Sequence, residues 1–287
     1  QGTWLRIVDL PAWLELQPRV QTLTVDSEVI TPVLGQRNCH WQSIGCFDKH
    51  GQLDVIVPIV HGKSGEDGAL QGLCQFWQLP FVGPNIQDAV ITFDKSLTKT
   101  LLKKHNLPVL PWLELSKHDD ISQLIVPKDW FYPLFVKAAR GGSSLGVHKV
   151  HEEAELHAAI EKTFLIDDCL IIEPGIQGQE IECAVLIGDA IDTAGPAELD
   201  VHSDYYSYDA KYNDPDACTL ITNARLSEKT AETIRQTAKQ VAVILGCQSM
   251  ARVDFFVLPD ETVLINEVNT IPGFTKISMF PKMWEAT

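Results

Sequence analysis

The chain has 287 residues, 45% of them hydrophobic and 21% charged, which is room for two or three lobes with cores of their own and is neither a disordered nor a membrane composition. Asp and Glu number 38 against 23 Lys and Arg, a net charge of -15, which is the wrong sign for a protein whose affinity comes from neutralising nucleic-acid phosphates or an anionic membrane surface. A small-molecule substrate is the expected partner, with no nucleic acid and no membrane.

The first sixty residues alternate only weakly. The apolar run Leu53 to Val60 then reads as a buried strand ending at His61-Gly62. The acidic pair Glu66-Asp67 opens a helix whose Leu70, Leu73 and Trp77 recur at helical spacing, carboxylates suiting a first turn. Strand, loop and helix make one unit of an open α/β layer, in which ligands sit at the carboxyl ends of strands. A second helix runs from Asp94, its N-cap, through Leu97, Leu101 and Leu102 to Asn106, with Pro108 and Pro111 beyond its exit.

From there the pattern changes. Leu134 to Lys137, Leu145 to Val150, Leu170 to Glu173 and Ile181 to Ile187 read as short strands, interrupted by one helix over Glu152 to Leu165 with Leu156, Ile160 and Phe164 on one face. Strands with few crossovers predict an antiparallel α+β lobe. A last helix begins at Ser227, carries Ala231, Ile234, Ala238, Val241 and Leu245 on one face, and stops at Gly246. The seven cysteines are scattered with no C-x-x-C spacing, so they read as reduced thiols of a cytoplasmic protein. No His and Cys fall at zinc-ligand spacing.

Four segments could carry chemistry. Ala251 to Asn269, ARVDFFVLPDETVLINEVN, reads as a β-hairpin with its turn at Pro259 to Thr262. Centring that turn between Asp260 and Glu261 sets Asp254 opposite Glu267 and Arg252 opposite Asn269, all four on one face because strand side chains alternate. Two carboxylates and a carboxamide are hard oxygen ligands suited to magnesium that also holds phosphate. The plain alternative is a solvated face with one ion pair. Phe135 to Val147, FVKAARGGSSLGV, places Lys137 at a strand end before a Gly-Ser turn whose backbone could approach a phosphate. It has no G-x-x-x-x-G-K-[ST] and could equally be a hairpin tip. His61 stands beside a helix N-terminus, where anions bind, or is an ordinary loop residue. Tyr205 to Tyr212, YYSYDAKY, is either a mobile lid or an edge strand.

Taken in order, these segments resemble the D-alanine-D-alanine ligase family of the ATP-grasp superfamily. The matching stretches are HGKSGEDGALQG (61–72), FDKSLTK (93–99), FVKAARGGSSLGV (135–147), YDAKY (208–212), ARVDFF (251–256) and INEVNTIPGFTKIS (265–278). The resemblance covers the chain from about Leu53 to Glu285. It implies α/β and α+β architecture, an ATP-grasp fold behind an open N-terminal α/β lobe, divided as an N-terminal substrate lobe at 1–92, a central lobe at 93–175 and a C-terminal lobe at 176–287. It further implies a cytoplasmic homodimer that uses ATP and two magnesium ions, with manganese as a substitute, to join two molecules of D-alanine through an acyl phosphate for cell-wall peptidoglycan. Residue by residue, Lys95 and Lys137 would contact ATP phosphates under the 141–144 turn with Ser143 and Ser144. Glu173 and Ile176 would hold adenine, Glu180 the ribose, and Asp254, Glu267 and Asn269 the metal. Arg252 and the backbone near Gly273 would stabilise the oxyanion. His61 would approach the first D-alanine and Ser278 the carboxylate of the second. Lys211 would reach the transferred phosphate, and Tyr212 with Ser143 would fix the lid.

Some family features are different here. The usual G-G-x-S-x-E turn, whose glutamate holds the first ammonium group, is not found, and the start at Gln1 and the end at Thr287 read as those of a trimmed chain. Ala138 stands in place of the usual proline, Gly141 where many members have glutamate, and Pro174 where some have lysine, departures that bear on ATP contacts and not on the class. The nearest alternatives are relatives that make D-alanine-D-serine or D-alanine-D-lactate: segments such as INEVNTIPGFT also suit D-serine ligases, while Tyr212 in its AKY context leans toward D-alanine, since D-lactate enzymes generally depart from that lid. A non-catalytic nucleotide-binding relative is the other alternative, and it would have no reason to keep carboxylates that repel one another.

Overall fold

The computed structural model describes residues 55–142, 146–201, 218–275 and 278–287, with the backbone of two short strands, β1 (Trp4–Leu5) and β2 (Val29–Ile30), paired antiparallel. The apolar run before His61 does not form the expected buried strand. Among the described residues its ladder partner is Phe81, bridged to Ile56, while Val55 and Ile59 are substantially exposed. Pro58 in its middle has no N-H to donate to a ladder.

Helix α1 (Ala69–Phe76) begins after the acidic pair and not on it. The Glu66 carboxylate accepts the Gly62 N-H, and Asp67 accepts those of Ser64 and Ala69 at 2.8 and 3.1 Å. Both carboxylates therefore stitch the loop from outside the helix. Helix α2 (Ile86–Phe93), which the sequence reading does not assign, carries Ile86, Ala89, Val90 and Phe93 at helical spacing. Its start is capped by Asn85, whose side chain accepts the N-H groups of Gln87 and Asp88. Helix α3 (Lys95–Lys104) follows at once, with Asp94 accepting the Leu97 N-H at 3.0 Å as the cap reading predicts. Its buried residues are Ser96, Thr98, Lys99 and Leu102, while Leu97 is exposed. That helix buries a polar face, which is the first sign of where the site lies.

Strands β3 (Leu113–Ser116), β4 (Leu134–Ala138), β5 (Val147–Val150) and β6 (Cys169–Pro174) form an antiparallel sheet in the order β3-β6-β4-β5. Alternation places Leu115, Leu134, Val136, Leu170 and Ile172 on one face, where Leu156, Ala159 and Ile160 of α4 (Glu153–Phe164) cover them. Lys137 and Glu173 point to the other face by the same period of two.

The second sheet takes β7 (Gln179–Ile187), β8 (Ile191–Val201), β9 (Cys218–Ile221), β10 (Ser249–Val257) and β11 (Val263–Asn269) in the order β11-β10-β7-β8-β9, all antiparallel. One face is apolar. Ile181, Cys183, Val185, Val253, Phe255 and Ile265 pack there against Ile234, Ala238, Val241 and Leu245 of α5 (Glu228–Leu245), the stripe read from the sequence. Each such Ile, Leu or Phe contributes about 1.5–3 kcal/mol on burial. Ser227 caps α5, and Gly246 ends it at φ 73. On the opposite face, Met279, Phe280 and Met283 of α6 (Met279–Glu285) cover Ala184, Ala194 and Ala197, leaving the rest of that face polar.

One buried carboxyl carries a stability prediction. Asp88 is 1% exposed, and its carboxylate accepts the Gln248 N-H at 3.1 Å. Burial pushes it from 3.8 to about 6, against the pull of those backbone donors. The folded state then binds more protons than the unfolded state between those two values, so stability falls as pH rises through that window. Asp88→Asn keeps an acceptor and removes the charge. It should raise stability by about 1–3 kcal/mol at pH 7.5 and by little at pH 4, as thermal unfolding at the two pH values would register. An equal gain at both would assign the effect to packing.

Candidate functional site

The polar faces of the two sheets meet around α3, and the β10–β11 hairpin builds one wall. Arg252 pairs with Asn269 and Asp254 with Glu267, the register read from the sequence. The route to it differs from the one assumed. The tip is centred on Asp260, with Val257 opposite Val263 and Phe255 opposite Ile265, and a bulge after Asp254 leaves Asn266 without a partner position. The apolar residues of β11 change parity there: Val263 and Ile265 face the core, and so does Val268. Without the extra residue, Val268 would turn to the site and Glu267 into the core. Placing a bulge where a side chain must be re-aimed is a recurring device of sheets.

Beside this hairpin runs β7, which sets Glu182 opposite Asp254. Arg252 donates from Nε and Nη2 to the two oxygens of Asp254, both at 2.7 Å, and its Nε lies 3.3 Å from Glu182. Burial works against the Arg252 charge, but Asp254, Glu182 and Glu267 together raise its pKa well above the usual value. For Asp254, burial comes first and raises the carboxyl above its ordinary range, helped by Glu182 and Glu267 and opposed by Arg252. Asn269 Oδ1 accepts the Ile271 N-H at 2.9 Å. Among the described residues no three His, Cys, Asp or Glu side chains gather as a complete metal cluster. Asp254, Glu267 and the Asn269 carboxamide nonetheless form one oxygen-rich face, a donor set that fits a hard cation completing its shell with phosphate oxygens or water.

The opposing wall is cationic. Lys95 and Lys99, one turn apart on α3, both point inward. Lys95 Nζ donates to the Gly141 carbonyl at 2.6 Å and lies 4.0 Å from Glu267. Lys137 Nζ and Lys99 Nζ each lie 2.6 Å from a different oxygen of Glu173, a side chain 1% exposed. Burial would raise the Glu173 carboxyl, but the Lys137 and Lys99 ammonium groups outweigh it and hold the group at about 2. Lys99 is lowered, chiefly by burial, whereas Lys137 is raised because Glu173, Glu267 and Glu180 outweigh its burial. The Glu173 side chain expected at an adenine therefore sits between two lysines. Ile176 lies in the segment that joins β6 to β7, and Glu180 follows on β7, opposite Phe256.

Loops close the ends of the cleft. A Cβ built on Gly142 would come 3.2 Å from Gly62 Cα and 3.4 Å from Glu66 Oε2, so the turn after β4 rests closely on the His61 loop and any side chain there would push that loop back by a few tenths of an ångström. Buried there, Glu66 is raised to about 7, mainly by desolvation, with the Gly62 N-H opposing and Glu267 adding to the rise. A Cβ on Gly273 would lie 2.7 Å from Ser278 Oγ and 3.8 Å from His61 Nε2, which places these three residues in one corner. Ser278 Oγ accepts the Thr275 N-H at 2.9 Å.

Twelve of the expected site residues lie among the described residues. Ser143, Ser144, Lys211 and Tyr212 lie outside the described residues, as does the stretch 205–212 read as a lid or edge strand. Sequence reasoning passes over Glu182, Lys99 and Glu66. Glu182 is signalled by its spacing of two from Glu180, and Lys99 by its spacing of four from Lys95.

The family models described as D-ala D-ala ligase N-terminus and C-terminus match residues 3–84 and 101–287. The D-alanine-D-alanine ligase of Coxiella burnetii is 43% identical over 289 residues, spanning 100% of this chain and 78% of that protein. Its solved structure superposes with a TM-score of 0.71 over 81% of this chain and 63% of that one. The D-Ala:D-Ser ligase VanG of Enterococcus faecalis is 34% identical with a TM-score of 0.73, covering 82% of this chain and 68% of that one. A Bacillus anthracis D-alanine-D-alanine ligase complexed with ATP is 27% identical with a TM-score of 0.68, covering 83% and 75%.

Proposed function

Because the chain belongs to the D-alanine-D-alanine ligase family, whose members form a peptide bond at the expense of ATP, we propose that it joins two molecules of D-alanine into the dipeptide used in peptidoglycan. The observation that carries this reading is the cleft itself: Lys95, Lys137 and Arg252 converge on the oxygen face of Asp254, Glu267 and Asn269. Phosphoryl transfer requires positioning and charge compensation more than covalent catalysis, and these side chains supply both.

In this reading Lys137 and Lys95 hold the ATP phosphates, and the carboxylate of the first D-alanine attacks the γ-phosphorus while ADP leaves. Magnesium, when bound at Asp254, Glu267 and Asn269, supplies the charge that offsets the polyphosphate. Arg252 exchanges part of its hold on Asp254 for the oxyanion that forms when the amine of the second D-alanine attacks the acyl phosphate. Phosphate then departs and the amide remains. Ser278 and His61, in the corner beside Gly273, bind the amino acids. Glu173 anchors Lys137, so the contacts left for adenine come from the backbone between Glu173 and Ile176, with Glu180 toward the ribose. Lys211, Tyr212, Ser143 and Ser144 belong to the closing segments that keep water from the acyl phosphate. Among the described residues no helix is long and apolar enough to cross a membrane. We place the reaction in the cytoplasm, carried out by a homodimer.

The protein should release phosphate from Mg-ATP only when a D-amino acid is supplied. A coupled phosphate assay with D-alanine, D-serine, D-lactate and L-alanine as second substrates is expected to favour D-alanine. Turnover with none of the D-substrates would overturn the ligase reading. Preference for D-serine would move the protein to the second reading, which the likeness to VanG supports.

A further inference from the structure

Lys99 has no part in the reaction as described, yet it is 2% exposed and fully engaged. Its Nζ meets Glu173 Oε1 at 2.6 Å, donates to the Leu110 carbonyl at 3.1 Å and lies 5.8 Å from the ring centroid of Trp112. Burying an ammonium group costs several kcal/mol, and a buried ionic cluster replaced as a whole by apolar side chains of similar volume is often as stable or more so, although removing one partner alone is costly. Stability alone therefore gives little reason for the buried Lys99–Glu173–Lys137 cluster.

The charge balance supplies one. Glu173 offers one oxygen to Lys99 and the other to Lys137, and Lys137 is 17% exposed, at the edge of the cleft. A Lys137–Glu173 pair by itself is neutral and would attract a phosphate weakly. With Lys99 behind it, the same carboxylate is compensated from the buried side, and the three groups carry a net charge of one positive unit whose accessible end is Lys137. We infer that Lys99 is a positioning residue for nucleotide phosphates: it neutralises Glu173 from the protein interior so that Lys137 keeps its charge for the ligand. This rests on the ATP-site reading given above.

The test compares Mg-ATP with adenosine by titration calorimetry on the wild type, Lys99→Met and the double variant Lys99→Met/Glu173→Gln. Lys99→Met should weaken Mg-ATP binding by about tenfold to a hundredfold, the effect of removing one unit charge near the phosphates at an intermediate dielectric, while leaving adenosine affinity within about twofold. The double variant restores the net positive unit and should regain most of the lost affinity, since the introduced carboxamide retains an acceptor for Lys137. Equal losses for ATP and adenosine, or a double variant no tighter than the single one with both still unfolding cooperatively, would show that Lys99 is merely structural. Unchanged ATP binding in Lys99→Met would also overturn the inference. A wild-type protein without ATP affinity would instead remove the site reading on which it depends.

Discussion

Replacing Glu267 by alanine should lower turnover by about a thousandfold or more, the scale expected when charge stabilisation of a phosphoryl or acyl transfer is removed, and should leave the fold untouched. The second half of that expectation comes from the hairpin. Glu267 has a side chain 43% exposed, and β11 is held by Val263, Ile265 and Val268 in the core and by its ladder with β10. The Glu267 charge also raises the pKa of Asp254 and of Glu66, so its removal relieves repulsion among neighbouring carboxylates. Thermal unfolding should therefore stay within about 1 kcal/mol of the wild type. Phosphate release with D-alanine and a melting curve on the same sample separate the two effects. A variant that keeps a tenth or more of wild-type turnover would show that this face does not hold the metal.

The hairpin also shows how far the sequence can be read. Alternation alone places Arg252, Asp254, Glu267 and Asn269 on one face, yet the turn it assumes is centred half a residue too late. Only the bulge at Asn266 makes the inner register come out right. The signal is present in VLINEVN, whose buried positions 263, 265 and 268 break the period of two, but a parity break is ambiguous until the core is known. Caps are more legible, because Asp94 and Ser227 act through local geometry. The strand expected over Leu53 to Val60 fails because an apolar run does not specify where its ladder partners are. Strand β8 is hidden for the opposite reason: Gly195 and Pro196 interrupt it in sequence, and its pairing with β7 and β9 holds it extended. Lys99 looks like an ordinary helix charge, since nothing local indicates that Glu173 of another strand will lie 2.6 Å away.

Arg252 gives the second large effect, and it differs in kind from that of Glu267. Arg252 is buried between Asp254 and Glu182, the three side chains being 12 to 13% exposed. Arg252→Met keeps much of the volume but leaves two buried carboxylates without their cation and within the field of Glu267. Breaking such a pair from one side costs about 3–5 kcal/mol, so the variant should lose stability as well as catalysis. The pH dependence follows from Asp254. Its folded-state pKa is already raised by burial and by Glu182 and Glu267, and Arg252 is the group that opposes the rise. Without Arg252 the carboxyl rises further, and the folded state holds a proton that the unfolded state releases above its ordinary value of 3.8. Relative to the wild type, the stability deficit should then be full above the variant's folded pKa and should shrink as pH falls to the raised wild-type pKa of about 7, below which Asp254 is protonated in both. Magnesium should raise the melting temperature of Arg252→Met more than that of the wild type, because the cation reaches Asp254 without displacing a guanidinium. A deficit independent of both pH and magnesium would assign the loss to packing around the arginine stem and would separate Arg252 from the metal face.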